Sequence, residues 1–287
     1  MNTKSEILNN LFVALPTVTA YHAPNVPLYN LLKNVARKEI ESLFCEKNGH
    51  NIEFGPFGKL TFPYHSMGTI DSLNLFDIDE LIMLSFYWQN RSRYKKVLDI
   101  GANLGLHSII LSKCGYEVTC YEPDPVHFEI LKNNVALNSI LNIQYNNMAV
   151  ASENGEREFV RVLGNTTGSH IVGAKLNPYG KLEKISVKTK SFKSILSGCD
   201  LVKMDVEGYE KVLVCTTDKN DWKNMDGVLS VHDKENAIVL FEHFKRLGIK
   251  FFAQKNGWNP VLKFEDMPMT HYEGSLFVTA KDKMFWY

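Results

Sequence analysis

From Val97 onward, short β-rich apolar runs alternate with segments whose apolar residues recur every three or four positions. No other feature constrains the fold as strongly, because strands joined by crossover helices pair in parallel and need helices on both faces of the sheet. Five strands are expected in order, at Lys96 to Ile100, Glu117 to Tyr121, Ile143 to Asn147, Leu201 to Asp205, and Gly227 to His232. Between them the 3.6-residue period places helices at about Leu106 to Lys113, Pro125 to Asn138, Tyr209 to Cys215 and Glu235 to Leu247. Lys250 to Ala253 reads as a sixth strand and Ser275 to Ala280 as a seventh. Their linker has no helical pattern for a crossover, so the two should form an antiparallel hairpin at one sheet edge. The expected class is α/β, a doubly wound, Rossmann-like sheet of seven strands with the last one antiparallel.

Two regions leave this rhythm. Residues 151–197 read as a hairpin insertion, with β segments at Glu158 to Val162 and Ile185 to Lys188 flanking a mobile Gly, Thr, Ser and Asn-rich loop from Gly164 to Gly180. Residues 1–94 read as an N-terminal α+β extension. It should hold a helix at Tyr29 to Glu46, a hairpin over Ile52 to Pro63 around Gly55-Pro56, and a helix at Ile78 to Gln89. Asp77 and Glu80 have the spacing of a capping box for that last helix. Residues 95–287 then form the cofactor-binding domain that carries the insertion.

Charge narrows the partner classes. Thirty-two Lys and Arg balance 32 Asp and Glu, so no global field favours nucleic acid or an anionic membrane. The five cysteines lack metal-site spacing and read as reduced thiols of a cytoplasmic chain. No apolar run approaches the ~18 residues of a membrane span, and Leu11 to Leu15 meets Pro16 too soon for a secretion signal.

Strand one runs into Asp99-Ile100-Gly101-Ala102-Asn103-Leu104-Gly105, which presents backbone N–H groups at the carboxyl edge of the sheet. A dinucleotide fingerprint needs GxGxxG to seat a pyrophosphate, whereas Asn103 stands where the second glycine belongs. A cofactor with an amino-acid moiety and no pyrophosphate suits this loop better, with Asp99 meeting its ammonium through water or neighbouring backbone. Strand two ends in Glu122-Pro123-Asp124-Pro125, where Glu122 can accept both ribose hydroxyls. Asp124 divides between cofactor contact and capping of the next helix. After strand three, Asn147 suits an adenine edge and Met148 its face, with core filling as the competing role for Met148.

Asp99 to Gly105, Glu122-Pro123 and above all Lys203-Met204-Asp205-Val206-Glu207-Gly208-Tyr209-Glu210 resemble the FkbM-type methyltransferases over roughly Val97 to Leu213. The resemblance implies a class I methyltransferase sheet, S-adenosylmethionine as donor, and O-methylation of a hydroxyl on a sugar, glycan or secondary metabolite. Similar proteins methylate peptide amide nitrogens, so the acceptor is a small molecule, a glycan or a peptide. An NAD-dependent oxidoreductase is the competing reading, weakened by Asn103. Where the family often ends the following strand with Glu, this chain has Val231-His232-Asp233.

Methyl transfer from a sulfonium needs proximity, and a hydroxyl acceptor gains from a base. Asp205, beyond strand four, is the first candidate for the methionine portion or the acceptor hydroxyl. Lys203 shares its face and could pair with an acid or hold an acceptor oxygen. Glu207 and Glu210 divide between function and stabilising a helix start, and His232 suits a general base. Asp205, His232 and Asp233 carry donors for a divalent cation, but their spacing requires none, and no metal is expected. Asn256 to Gly274 has to lie on the active-site side, where Trp258, His271 and Tyr272 would wall the acceptor pocket. The bland alternative folds both large aromatics under the loop as a satellite core.

Overall fold

The computed structural model describes residues 3–175 and 180–286, so residues 176–179 of the expected mobile loop lie outside the described residues. The chain opens with helix α1 (Glu6–Ala14), capped by the Ser5 hydroxyl, which accepts from the Leu8 N–H at 2.9 Å. Helix α2 (Pro27–Phe44) starts two residues before the expected point, because Pro27 at the first helical position is already set for helical φ. The hairpin around Gly55-Pro56 is two short strands, β1 (Ile52–Glu53) and β2 (Lys59–Leu60). Helix α3 (Ile78–Gln89) follows, its first N–H held by the Asp77 carboxylate at 2.8 Å.

The alternating part begins at β3 (Lys96–Ile100) and continues through α4 (Leu106–Lys113), β4 (Glu117–Tyr121), α5 (Pro125–Leu137) and β5 (Ile143–Asn146). The insertion is larger than a hairpin. It comprises β6 (Ala149–Ala151), β7 (Gly155–Val162), β8 (His170–Ile171) and β9 (Leu182–Ser191), ordered β6-β9-β7-β8 as a separate sheet. The outer halves of β7 and β9 are charged and exposed, so they lack the apolar alternation that signals a strand. Cross-strand pairing such as Glu158 with Lys184, 2.7 Å apart, supports them instead. A short helix α6 (Phe192–Ile195) returns the chain to β10 (Leu201–Met204), α7 (Glu210–Val214), β11 (Asp226–Leu229), α8 (Lys234–Leu247), β12 (Lys250–Ala253), β13 (Asn259–Pro260) and β14 (Leu276–Thr279).

The main sheet is doubly wound and mostly parallel, in the order β13-β12-β14-β11-β10-β3-β4-β5. The last two long strands are the expected antiparallel neighbours at one end of the sheet, with β14 on the inner side, between β11 and β12, and Val278 opposite both Gly227 and Phe251. The two-residue β13 adds an eighth, antiparallel edge strand. Leu276, Phe277 and Val278 are fully buried, which is why this segment takes an interior position rather than an edge.

The first 94 residues and the sheet share one core. Leu8, Phe54, Phe76 and Leu84 pack in the same cluster as Val97, Ile109, Phe252 and Phe277. The opposite face buries Val202, Met204, Leu213 and Trp222 beneath α7, α8 and the insertion. Both cores leave the carboxyl ends of β3, β4, β10 and β11 open to a cavity of about 1200 Å³. That exceeds the few hundred to ~1000 Å³ of an ordinary small-molecule site, so it has room for two ligands together.

Candidate active site

The floor of the cavity is the turn after β3. Gly101 has φ of +81°, and a Cβ there would lie 1.8 Å from the Asp205 carbonyl oxygen, so only glycine lets the ends of β3 and β10 meet. Its N–H and that of Ala102 both donate to the Tyr121 carbonyl at 3.0 Å, which ties the loop to β4. Asn103 also has a positive φ of 52°, a conformation asparagine tolerates, and its N–H donates to Glu122 Oε2 at 2.7 Å. Gly105, φ +88°, precedes α4 and packs against Leu131, off the cavity.

Gly101, Asn103, Glu122, Asp124 and Met148 line one half of the cavity. Glu122 is 6% exposed, and its Oε1 accepts from the Asp124 N–H at 2.8 Å. Burial pushes its carboxyl up to about 8, against the pull of those two backbone donors. Asp124 caps α5, accepting from the Val126 N–H at 2.8 Å, while Arg161 Nε donates to its other oxygen at 2.8 Å and clamps the insertion to the crest of β4. Asp99 and Asn147 do not line the cavity. Asp99 is fully buried: one oxygen accepts from Ser108 Oγ at 2.6 Å, and the other, without a hydrogen-bond partner among the described residues, lies 3.5 Å from Lys203 Nζ. Asn147 follows the end of β5, and its amide donates to the Glu122 carbonyl at 2.9 Å.

The other half gathers Lys203, Asp205, Glu207 and His232. His232 Nε2 lies 3.0 Å from Asp205 Oδ1 and 3.4 Å from Glu210 Oε1. Burial opposes an imidazolium here, but Glu207, Glu210 and the bond to Asp205 hold His232 well above its ordinary pKa. The shift favours the imidazolium form, in which Nε2 donates to Asp205 Oδ1. Burial likewise opposes the charge of Asp205, yet the His232 hydrogen bond and Lys203 hold its carboxyl well below the usual range. Lys203 also donates to the Gly101 carbonyl at 3.2 Å. Burial works against its charge too, and Asp99, Asp205 and Glu80 raise its pKa in spite of that.

Glu207 has a positive φ of 57° and is ion-paired with Lys175 of the insertion. Glu210 is fully buried and accepts from the N–H groups of Val206 at 2.7 Å and Gly208 at 3.0 Å, so it ties the Asp205–Gly208 turn. Asp205, Glu210 and His232 bring one ligand atom each within 4.8 Å of one another, a donor set that suits a divalent cation. Asp233 is not in that set and caps α8, accepting from the Asn236 N–H at 2.7 Å.

The connection before β14 divides. His271 and Tyr272 line the cavity, their rings 3.8 Å apart, and His271 stacks on His232 at 6.4 Å. Trp258 does not: it is 6% exposed, donates to His22 Nδ1 at 2.8 Å and packs beside Trp286. Its expected stacking role gives way to a core role, because β13 folds this end of the connection against the N-terminal region. Four lining residues carried no site signal in the sequence: Tyr29, Asp79 and Glu80 from the N-terminal region, and Lys175 from the insertion. His107, another lining residue, bonds Glu80 Oε2 at 2.7 Å.

The model of the FkbM methyltransferase domain matches residues 99–248, just over half of the chain. The chain belongs to the FkbM methyltransferase family. That stretch, from the Gly101 loop to the end of α8, is a methyltransferase domain. Methyltransferase sdnD of Sordaria araneosa is 25% identical over 166 residues, covering 46% of this chain and 64% of that relative's length. Among solved structures, an S-adenosylmethionine-dependent methyltransferase from Agrobacterium tumefaciens is similar with TM-score 0.44 at 10% identity, over 82% of this chain and 71% of that one. A precorrin-6y C5,15-methyltransferase from Geobacter metallireducens is similar with TM-score 0.37 at 11% identity, over 67% of this chain and 82% of that one.

The family's donor fits the residues present. The side-chain oxygen of Asn103 is buried at the loop without a hydrogen-bond partner among the described residues, and Glu122 lines the cavity beside it with both oxygens held by backbone N–H groups.

Proposed function

We propose that this protein methylates a hydroxyl group on a sugar, glycan or secondary metabolite, with Asp205 accepting the hydroxyl proton. One observation carries the reading: Asp205 stands at the cavity beside the Gly101 loop, kept anionic by His232 and Lys203. The loop and Glu122 hold the nucleoside side of the donor, and Lys203 balances charge beneath it. S-adenosylmethionine, when bound, supplies a methyl group made electrophilic by a positive sulfur. Asp205 orients a hydroxyl by accepting its hydrogen bond, so that an oxygen lone pair faces the methyl group.

A strongly acidic Asp205 is a weak base toward a free alcohol. It is sufficient for a hydroxyl whose oxygen is gaining a methyl group, because that proton becomes far more acidic as the bond forms. His232, favoured in its imidazolium form, donates to Asp205 and keeps it in place. His271 and the exposed Tyr272 offer aromatic surface to a sugar face. No large positive patch is needed for such an acceptor, in keeping with the balanced charge of the chain.

The test is a labelled-donor screen against sugar, peptide and polyketide pools, followed by Asp205→Asn on the acceptor found. The expected product is a methyl ether. The variant should lose about 10²-fold or more in kcat while binding S-adenosylhomocysteine near wild type. A labelled N-methyl product, or a variant that turns over normally at saturation, would overturn the assignment.

A further inference from the structure

We infer that Glu80, supplied by the N-terminal region and held by His107, binds the ammonium group of the donor's amino-acid end opposite Lys203. This rests on the donor reading above and extends it to a residue outside the segment that matches the family model.

The sheet fixes the donor's direction. Glu122 and Met148 follow β4 and β5, on one side of the Gly101 loop, and Lys203 and Asp205 belong to β10 on the other. A nucleoside on the Glu122 side therefore sends its amino-acid end over β3 and β10. That end carries one ammonium and one carboxylate, and it needs one anion and one cation. Lys203 is the cation there. Asp99, the acid expected to answer the ammonium, is fully buried beneath the loop and already engaged by Ser108 and Lys203.

Glu80 is the acid that reaches the same place. It lines the cavity together with His107, Lys203 and Asp205. Its Oε2 is fixed by His107 Nε2 at 2.7 Å, and the Tyr87 hydroxyl fixes His107 Nδ1 at 3.1 Å, all on α3 and α4. With Tyr87 donating to Nδ1, the imidazole presents its Nε2–H to Glu80. Its other oxygen, Oε1, accepts no hydrogen bond among the described residues. The chain thus holds a pre-oriented carboxylate with one oxygen to spare, lining the same cavity as the donor loop. As a first-turn acid of α3, Glu80 also has a purely structural use in stabilising that helix start. The two roles make different predictions.

The experiment titrates the full chain by calorimetry with S-adenosylhomocysteine and, separately, with 5′-methylthioadenosine, which keeps the nucleoside and the thioether and lacks the amino acid. Glu80→Gln should weaken S-adenosylhomocysteine binding by about 10- to 100-fold, the loss of one charge-assisted hydrogen bond, and leave methylthioadenosine within twofold of wild type. Methylthioadenosine binding also reports that the variant is folded. Glu80→Asp should recover part of the loss. Equal losses with both ligands would show a structural role, and unchanged S-adenosylhomocysteine affinity would place the ammonium elsewhere, with Asp205→Asn as the next variant to titrate. Either result overturns the inference. If the unaltered protein bound neither ligand, the donor reading itself would fall and take this one with it.

Discussion

Replacing Gly101 with alanine isolates what the donor loop demands of the backbone. At φ +81° an alanine pays the left-handed penalty of about 1–2 kcal/mol. Its Cβ would also sit 1.8 Å from the Asp205 carbonyl oxygen, so the ends of β3 and β10 must part by roughly an ångström or more, an overpacking cost of about 1–3 kcal/mol. Together these come to about 2–5 kcal/mol, which lowers Tm by roughly 5–15 °C for a chain of this size. Gly115 supplies the control. Its φ is +92°, yet nothing lies within 4 Å of the Cβ it would gain, so Gly115→Ala should show the conformational penalty alone. Differential scanning calorimetry of both variants, with and without S-adenosylhomocysteine, reads the difference. Gly101→Ala should be the less stable by several degrees and should lose most of the stabilisation by ligand, because the displaced turn is itself the floor of the donor site. Equal melting temperatures, or full ligand stabilisation of Gly101→Ala, would refute the close approach as the reason for glycine.

Other expectations follow from burial and charge. Glu122, its carboxyl raised from 4.5 to about 8, favours the folded state fully below pH 4.5, and this contribution is lost as pH rises through about 8. Glu122→Gln, which has no such proton, should show a flatter Tm profile between pH 5 and 9, and identical profiles would show that burial does not raise this group. Trp258→Ala should destabilise by about 3–5 kcal/mol in urea unfolding, because it removes a buried indole bonded to His22, and should leave ligand affinity of the folded protein unchanged. Tyr272→Ala should do the reverse, raising the acceptor KM with stability within about 0.5 kcal/mol, since its ring is 73% exposed. An unchanged KM would remove Tyr272 from the acceptor wall.

The amino-acid sequence by itself determined the features that depend on near neighbours. Strand and helix positions from β3 to α8 follow from periodicity, which a few residues display, and the Gly101 turn follows from a conformation only one residue type enters freely. The charged hairpin of β7 and β9 was half legible, because strands held by cross-strand ion pairs lack an apolar alternation. Tertiary structure decided which strands flank β14, since the apolar run from Leu276 to Val278 marks a buried strand but does not name β11 and β12 as its neighbours. It also decided which acids face the cavity. Asp99 and Glu122 both end strands, yet Ser108 and Lys203 close over the first while the cavity stays open to the second. Trp258 and Tyr272 occupy one connection and part company because β13 pins the first against His22. The raised pKa of His232 is likewise a tertiary property: it depends on Asp205, Glu207 and Glu210 converging within a few ångströms on an imidazole from the next strand end. Glu80 stands 27 residues before His107, and no spacing rule joins them, but the packing of α3 on α4 sets them 2.7 Å apart. Charge and burial act through distance in space, and chain separation carries almost no information about that distance once a sheet has brought its strand ends together.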